Sequence, residues 1–172
     1  GEFFGYLTQG IYQNASQVSS LPGYSGAAPG SFIYKDVNGD GKITPDDRTW
    51  MGNPNPDFTY GVNLNASYKR FDFTMVLYGS HGNKDFNYVK YWTDFYSTFQ
   101  GGKSLDMYNK AAIVSNGVVT NPGATLPAAS FSQAFGSSTV SSYYVESGAF
   151  LKCRVASLGY TFDPSVLKRV GI

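Results

Sequence analysis

The chain has 172 residues, 42% hydrophobic and 15% charged with a net charge of +1; this is enough for a packed core, and there is no basic excess to draw it to nucleic acid. Cys153 is the single cysteine and His81 the single histidine, which excludes an internal disulfide and argues against a histidine-based zinc centre. Fourteen Tyr, thirteen Phe, two Trp and 20 Gly favour strands and turns over helix bundles, so the fold class expected is all-β.

The first predicted element is a strand around Phe3 to Tyr12, followed by a Ser/Gly/Pro-rich stretch. Next comes Asp36-Val-Asn-Gly-Asp-Gly-Lys-Ile-Thr-Pro-Asp-Asp47, whose oxygen donors have the spacing of a dockerin- or EF-hand-like calcium loop. Asp36, Asn38 and Asp40 supply side chains at positions one, three and five. Gly41 reverses the chain at position six, Lys42 offers its backbone carbonyl at seven, and Ile43 is an apolar anchor. Position twelve is Asp47 rather than Glu, a shorter arm, with Asp46 as a substitute. The same residues also suit a metal-free Asx- and Gly-rich turn. A bound Ca2+ here has a structural role, fixing a loop that has little core of its own.

After the loop, Phe58, Tyr60, Val62, Leu64, Ala66 and Tyr68 alternate with Thr59, Gly61, Asn63, Asn65 and Ser67. Beyond the short turn Lys69-Arg70 the alternation resumes with Phe71, Phe73, Met75 and Leu77 against Asp72, Thr74, Val76 and Tyr78, which makes a hairpin. One face is apolar and aromatic, the other polar. A soluble sandwich would pack the apolar face on a second sheet, whereas an outer-membrane barrel would turn it to lipid.

Residues 80–142 show no strand pattern of that quality. Phe86 to Phe99 is crowded with aromatics, of which Tyr91, Trp92, Phe95 and Tyr96 are candidate ligand-contact residues through ring stacking, although packing of a large loop is the commoner use of such a cluster. Ser104 is placed to cap a short helix over 104–114, and 115–142 reads as irregular surface chain. A last strand is expected over 143–162, with a bulge near Val155 reconciling Leu151 and Cys153 with Leu158, Tyr160 and Phe162, and turning Lys152 and Arg154 away from lipid. Long, short, long connections match a barrel with extended extracellular loops and tight periplasmic turns. In that orientation the first strand runs outward, 58–68 inward, 71–79 outward and the last inward, and both the calcium loop and the loop over 80–142 are extracellular. No run of about 18 apolar residues exists to cross a membrane as a helix, and no signal peptide opens the sequence.

Lys35-Asp-Val-Asn-Gly-Asp-Gly-Lys-Ile, Asp46-Asp-Arg and Gly52-Asn-Pro-Asn-Pro-Asp-Phe-Thr-Tyr-Gly61 resemble the C-terminal barrel region of SusC/RagA-type TonB-dependent outer-membrane transporters. Gly5-Tyr6, Gly10-Ile-Tyr-Gln13, Phe71-Asp-Phe and Ser147 to Tyr160 are similar to motifs in the same order, so the resemblance covers nearly the whole chain. It implies a place in the outer membrane of Bacteroidetes-type bacteria, within a plugged barrel of about 22 strands. It also implies a SusD-like surface lipoprotein as partner, an oligosaccharide or oligopeptide as substrate, and energy delivered through TonB at the family's N-terminus. The plug and the TonB-contact segment have no counterpart in this sequence, and the chain stops at Val170-Gly-Ile172 after what resembles a periplasmic turn. The expectation is therefore one incomplete barrel domain over 1–172, a fragment with about four strands.

No Ser/His/Asp set or paired carboxylates stand out beyond the metal loop, so no enzyme is expected. The alternative from another class is a soluble calcium-stabilised β-domain that binds carbohydrate or a protein partner. A dockerin carries two such loops, and this sequence has one.

Overall fold

The computed structural model describes residues 1–130 and 139–164, with Lys168 and Gly171. Residues 131–138 of the predicted long loop, and Val170 and Ile172 at the expected chain-end turn, lie outside the described residues. In chain order the elements are β1 (Phe3–Gly5), β2 (Thr8–Ile11), α1 (Ala15–Ser20), β3 (Phe32–Tyr34), β4 (Thr49–Gly52), β5 (Phe58–Tyr68) and β6 (Phe71–His81). They continue with β7 (Lys84–Phe86), α2 (Val89–Thr93), α3 (Leu105–Lys110), β8 (Val114–Ser115), β9 (Val118–Val119), β10 (Val145–Ser147) and β11 (Phe150–Tyr160). Strands dominate, as the composition implies, and among the described residues no helix is long and apolar enough to cross a membrane. The chain divides into two compact units, Gly1–Pro54 with Asp85–Glu146, and Asn55–Lys84 with Ser147–Ile172.

The second unit is an antiparallel sheet of three 11-residue strands in the order β11-β6-β5. The period-two pattern fixes its register: Tyr68 faces Phe71 across the two-residue turn, Leu64 faces Met75, and Phe58 faces His81. Lys69 takes the left-handed conformation (φ 55°) that the tight turn requires. β11 pairs with β6 from Phe150↔Ser80 to Tyr160↔Phe71, with a register shift between Cys153 and Val155. The bulge predicted near Val155 is therefore present, and Arg154 is its extra residue. Because of it, Leu151, Cys153, Ala156, Leu158 and Tyr160 share one face with Phe71, Phe73, Met75 and Leu77.

The expected strand over 143–162 is shorter than predicted. Ser142–Tyr144 is a 3-10 turn, β10 ends at Ser147, and the long strand starts only at Phe150. The two long loops also differ from expectation, because their residues build the first unit together. The predicted strand over Phe3 to Tyr12 is two short pieces. β1 pairs with β4 and β2 pairs with β3, each with a register irregularity, and neither is long enough to span a bilayer. Of the expected four barrel strands, three of spanning length are present among the described residues.

Tyr6, Ile11, Phe32, Tyr34, Ile43, Phe95, Leu126 and Tyr144 form the core of the first unit. Ser104 caps α3 by accepting from the Met107 N–H, as predicted, and Asn14, which was not predicted as a cap, caps α1 by accepting from the Gln17 N–H. α3 ends at Lys110 rather than continuing to Val114, because Ala111 is extended (ψ 141°) and leads the chain into the β8–β9 hairpin.

Candidate membrane face and metal loop

Among the described residues nothing covers the apolar face of the three-stranded sheet. Phe58 is 55% exposed, Leu64 45% and Leu158 71%, and Val62, Phe71, Phe73, Leu151 and Tyr160 are exposed as well. A contiguous apolar sheet face of this extent is what a soluble domain hides. Its composition is banded along the strands. Aromatics mark the turn end (Tyr68, Phe71, Tyr160, Phe162, with Phe71 and Tyr160 rings 4.7 Å apart) and the opposite end (Phe58 and Tyr60, 6.0 Å apart). Between them lie Val62, Leu64, Met75, Leu77, Cys153 and Ala156. The Tyr60 ring lies over Gly79, its partner across the pair, in the space a Cβ would occupy. Eleven strand residues span roughly 36 Å, and about 26 Å once tilted by ~45°, close to the apolar band of an outer-membrane barrel. The other face carries Asn63, Asn65, Ser67, Thr74 and Ser157, and the Thr74 hydroxyl donates to Asn65 at 3.0 Å.

In the predicted calcium loop, Gly39 and Gly41 adopt positive φ (78° and 83°), where a side chain is strained. Asp36 accepts from the Gly39 and Gly41 N–H groups at 2.6 and 2.8 Å, Asn38 from Asp40 N–H at 2.9 Å, and Asp40 from Lys42 N–H at 2.8 Å. These three side chains stand in the exposed or half-exposed part of the loop. The Ile43 side chain enters the core, and its N–H donates to the Gly23 carbonyl.

Asp47 is different: it is completely buried (0% exposed). One oxygen accepts from Val37 N–H at 2.9 Å and Asn38 N–H at 3.4 Å, the other from Thr44 N–H at 2.7 Å and the Thr44 hydroxyl at 3.4 Å. Burial pushes its pKa up, but the hydrogen bonds from Thr44, Val37 and Asn38 outweigh burial and hold it below the usual carboxylate value. Asp46, the predicted substitute, stays exposed and donates its N–H to Thr44 Oγ1 in a capping arrangement. Among the described residues no three His, Cys, Asp or Glu side chains converge as a metal-binding group. Asp36, Asn38 and Asp40 thus stand at the surface of the loop, while Asp47 is engaged inward.

The four predicted ligand-contact aromatics separate. Phe95 is a core residue, 4% exposed and edge-on to Phe32, Tyr143 and Tyr144. Tyr91 is half-buried and stacks on Tyr88 at 5.1 Å, and Trp92 stands edge-on to Tyr91 and is exposed. Tyr96 carries the Lys103 ammonium over its ring and lines a cavity of about 240 Å³ with Phe32, Phe95 and Met107. Asp94, which the sequence reading passed over, is buried here and accepts from the Tyr143, Ser104 and Thr93 hydroxyls. Burial first, and then Asp94, raises the Tyr143 pKa above the ordinary tyrosine value, so its phenol stays a neutral donor. The signal for Asp94 was its place just beyond α2 and ahead of the Ser104 cap.

No family model matches the chain. TonB-dependent receptor P3 of Formosa agariphila is 29% identical over 173 residues, covering all of this chain and 16% of that protein. TonB-dependent receptor SusC of Bacteroides thetaiotaomicron is 29% identical over 134 residues, 76% of this chain and 12% of its own length. The chain is a SusC-like TonB-dependent receptor sequence. A third relative, TonB-dependent receptor P39 of Formosa agariphila, is 31% identical over 148 residues, 83% of this chain and 13% of that protein. The chain therefore spans about a sixth of the length of these relatives, or less. TonB-dependent receptors such as SusC are outer-membrane proteins, transporters rather than enzymes.

Proposed function

We propose that this chain is part of a nutrient transporter whose β5, β6 and β11 cross the outer membrane as neighbouring barrel strands. The observation that carries this reading is the uncovered, aromatic-banded face on three paired strands of bilayer length. The Lys69-Arg70 turn is then periplasmic, and the long connections leave from the extracellular ends. The free edges of β5 and β11 are completed by strands from the rest of the receptor, since unpaired backbone in hydrocarbon costs several kcal/mol per group. Transport belongs to the whole receptor, with a SusD-like surface lipoprotein as partner, an oligosaccharide or oligopeptide as cargo, and TonB acting through a segment outside this chain.

The loop Asp36 to Asp47 acts in this reading as a structural calcium clamp built from Asp36, Asn38, Asp40, the Lys42 carbonyl and Asp47. Its positive-φ glycines and exposed carboxylates support the assignment. Asp47 would exchange its two 3.4 Å contacts, to Asn38 N–H and Thr44 Oγ1, for the ion.

The test is oligosaccharide and oligopeptide uptake by cells carrying the full-length receptor, with and without residues 58–81, alongside calcium calorimetry on wild type and Asp40→Ala. Uptake that survives loss of the hairpin with the receptor still inserted would refute the transport reading. Calcium binding unchanged in Asp40→Ala would refute the clamp.

A further inference from the structure

The polar face of the three-stranded sheet is uneven in charge. Its β5 positions are uncharged (Thr59, Gly61, Asn63, Asn65, Ser67), and on β6 only Asp72 is ionic. On β11, Lys152 lies opposite Tyr78, and the bulge sets Arg154 and Val155 together opposite Val76. Lys152 and Arg154 are exposed, and neither has an ion-pair partner among the described residues. Asp72 is six residues along β6 from Tyr78, roughly 20 Å from the Lys152 pair, far beyond salt-bridge reach. Beside the two cations on the same face are the exposed rings of Tyr78 and Phe150, with centroids 5.8 Å apart. Two adjacent rings beside two cations make a surface on which a flat, negatively charged ligand can stack.

We infer that Lys152, Arg154, Tyr78 and Phe150 form a lumenal subsite for an acidic oligosaccharide, the rings seating a sugar face and the two cations holding its carboxylate or sulfate. The inference rests on the transporter reading, which makes the polar face the lumenal one, and deepens it by giving the cargo a charge. The bulge is the local device that lets the two cations stand above a lipid-facing stretch of the same strand. Without it, strict alternation would put Arg154 on the polar face but would turn Ala156, Leu158 and Tyr160 inward as well. One extra residue keeps the lower half of β11 lipid-facing while leaving two cations side by side above it. The adjacent rings favour a glycan over an acidic side chain of the receptor itself, which would need no stacking surface.

The test is calorimetry on the full-length receptor in detergent, with a galacturonic acid hexasaccharide and its methyl ester, which keeps the rings but removes the charge. The acid is expected to bind about tenfold tighter than the ester, as two charge-assisted contacts allow, and to lose that advantage in high salt. Lys152→Gln with Arg154→Gln abolishes the difference, Lys152→Arg with Arg154→Lys retains it, and Tyr78→Ala weakens both ligands. Equal binding of acid and ester overturns the inference and leaves the transporter reading standing. Binding of neither also overturns it, whereas failure of the receptor to insert into bilayers sinks the transporter reading itself. Unchanged acid preference in the double Gln variant, with reduced thermal stability, would show that the cations pair with the receptor's own acids and overturns the subsite.

Discussion

Leu64→Arg is the sharpest probe of the membrane face. Leu64 is the seventh of the 11 residues of β5, 45% exposed and paired with Met75, and Asn63 beside it marks the middle of the strand and faces the other way. At a tilt of ~45° each residue changes depth by about 2.4 Å, so Leu64 lies within about 3 Å of the hydrocarbon midplane. An arginine at that depth costs about 2 to 4 kcal/mol, which is a roughly 30- to 900-fold shift in the folding equilibrium. Asn63→Arg enters the aqueous side and is expected to stay within about 0.5 kcal/mol of wild type. Urea unfolding of the full-length receptor in short-chain phospholipid bilayers, followed by tryptophan fluorescence and heat-modifiable mobility on gels, measures both. Equal costs, or a larger cost for Asn63→Arg, would refute the assignment of faces on which the membrane reading rests.

Four further outcomes follow from the first unit. Asp47→Ala removes the buried acceptor of the Val37, Asn38 and Thr44 N–H groups and should cost about 1 to 3 kcal/mol, read as accelerated proteolysis near residue 40. Because its folded pKa is depressed, Asp47 adds stability that is fully present above the unfolded carboxylate value of about 4 and is lost as pH falls through the lower folded value. Acid titration should therefore soften this unit only below about pH 4, and Asp47→Asn should flatten that limb. Phe95→Ala opens a cavity in an aromatic core and should cost about 3 to 5 kcal/mol, whereas Trp92→Ala, at an exposed ring, should leave chemical denaturation nearly unchanged. Asp40→Ala removes an exposed donor of the calcium loop, so calorimetry should show the calcium heat disappear while the unit stays folded.

What the sequence disclosed follows a physical division. Strands 58–68 and 71–81 are written in period two because their two faces differ in polarity, and in 150–160 even the bulge at Arg154 was visible as a slip of parity. Phe3 to Tyr12 also looks like a strand, but Tyr6, Ile11 and Tyr12 all turn into a core, which alternation along a single segment cannot reveal. The aromatic stretch 86–99 was legible as chemistry and not as placement. Whether Phe95 is buried and Trp92 exposed depends on Phe32 and Tyr143, which are distant in sequence. In the candidate metal loop the donors were spaced as the pattern demands. The inward turn of Asp47 depends on its hydrogen bonds to Val37 and Thr44, and ligand spacing carries no information about those.

The pairing of β7 with β10, together with the Gly148 N–H donated to the Asn83 carbonyl, brings the two ends of a very long excursion together. β5 and β6 meet across two residues, whereas β11 must find β6 across the whole of 82–149. For a flexible chain, the entropy of closing that loop exceeds that of a short turn by about 2 to 3 kcal/mol. If the aromatic core collapses and β7 docks on β10 first, that cost is met beforehand and the strand reaches β6 as if it were the next arm of a meander. On that order of events the first unit serves as a splint for assembly, and substitutions in its core should delay the closing of the sheet well before they disturb the finished one.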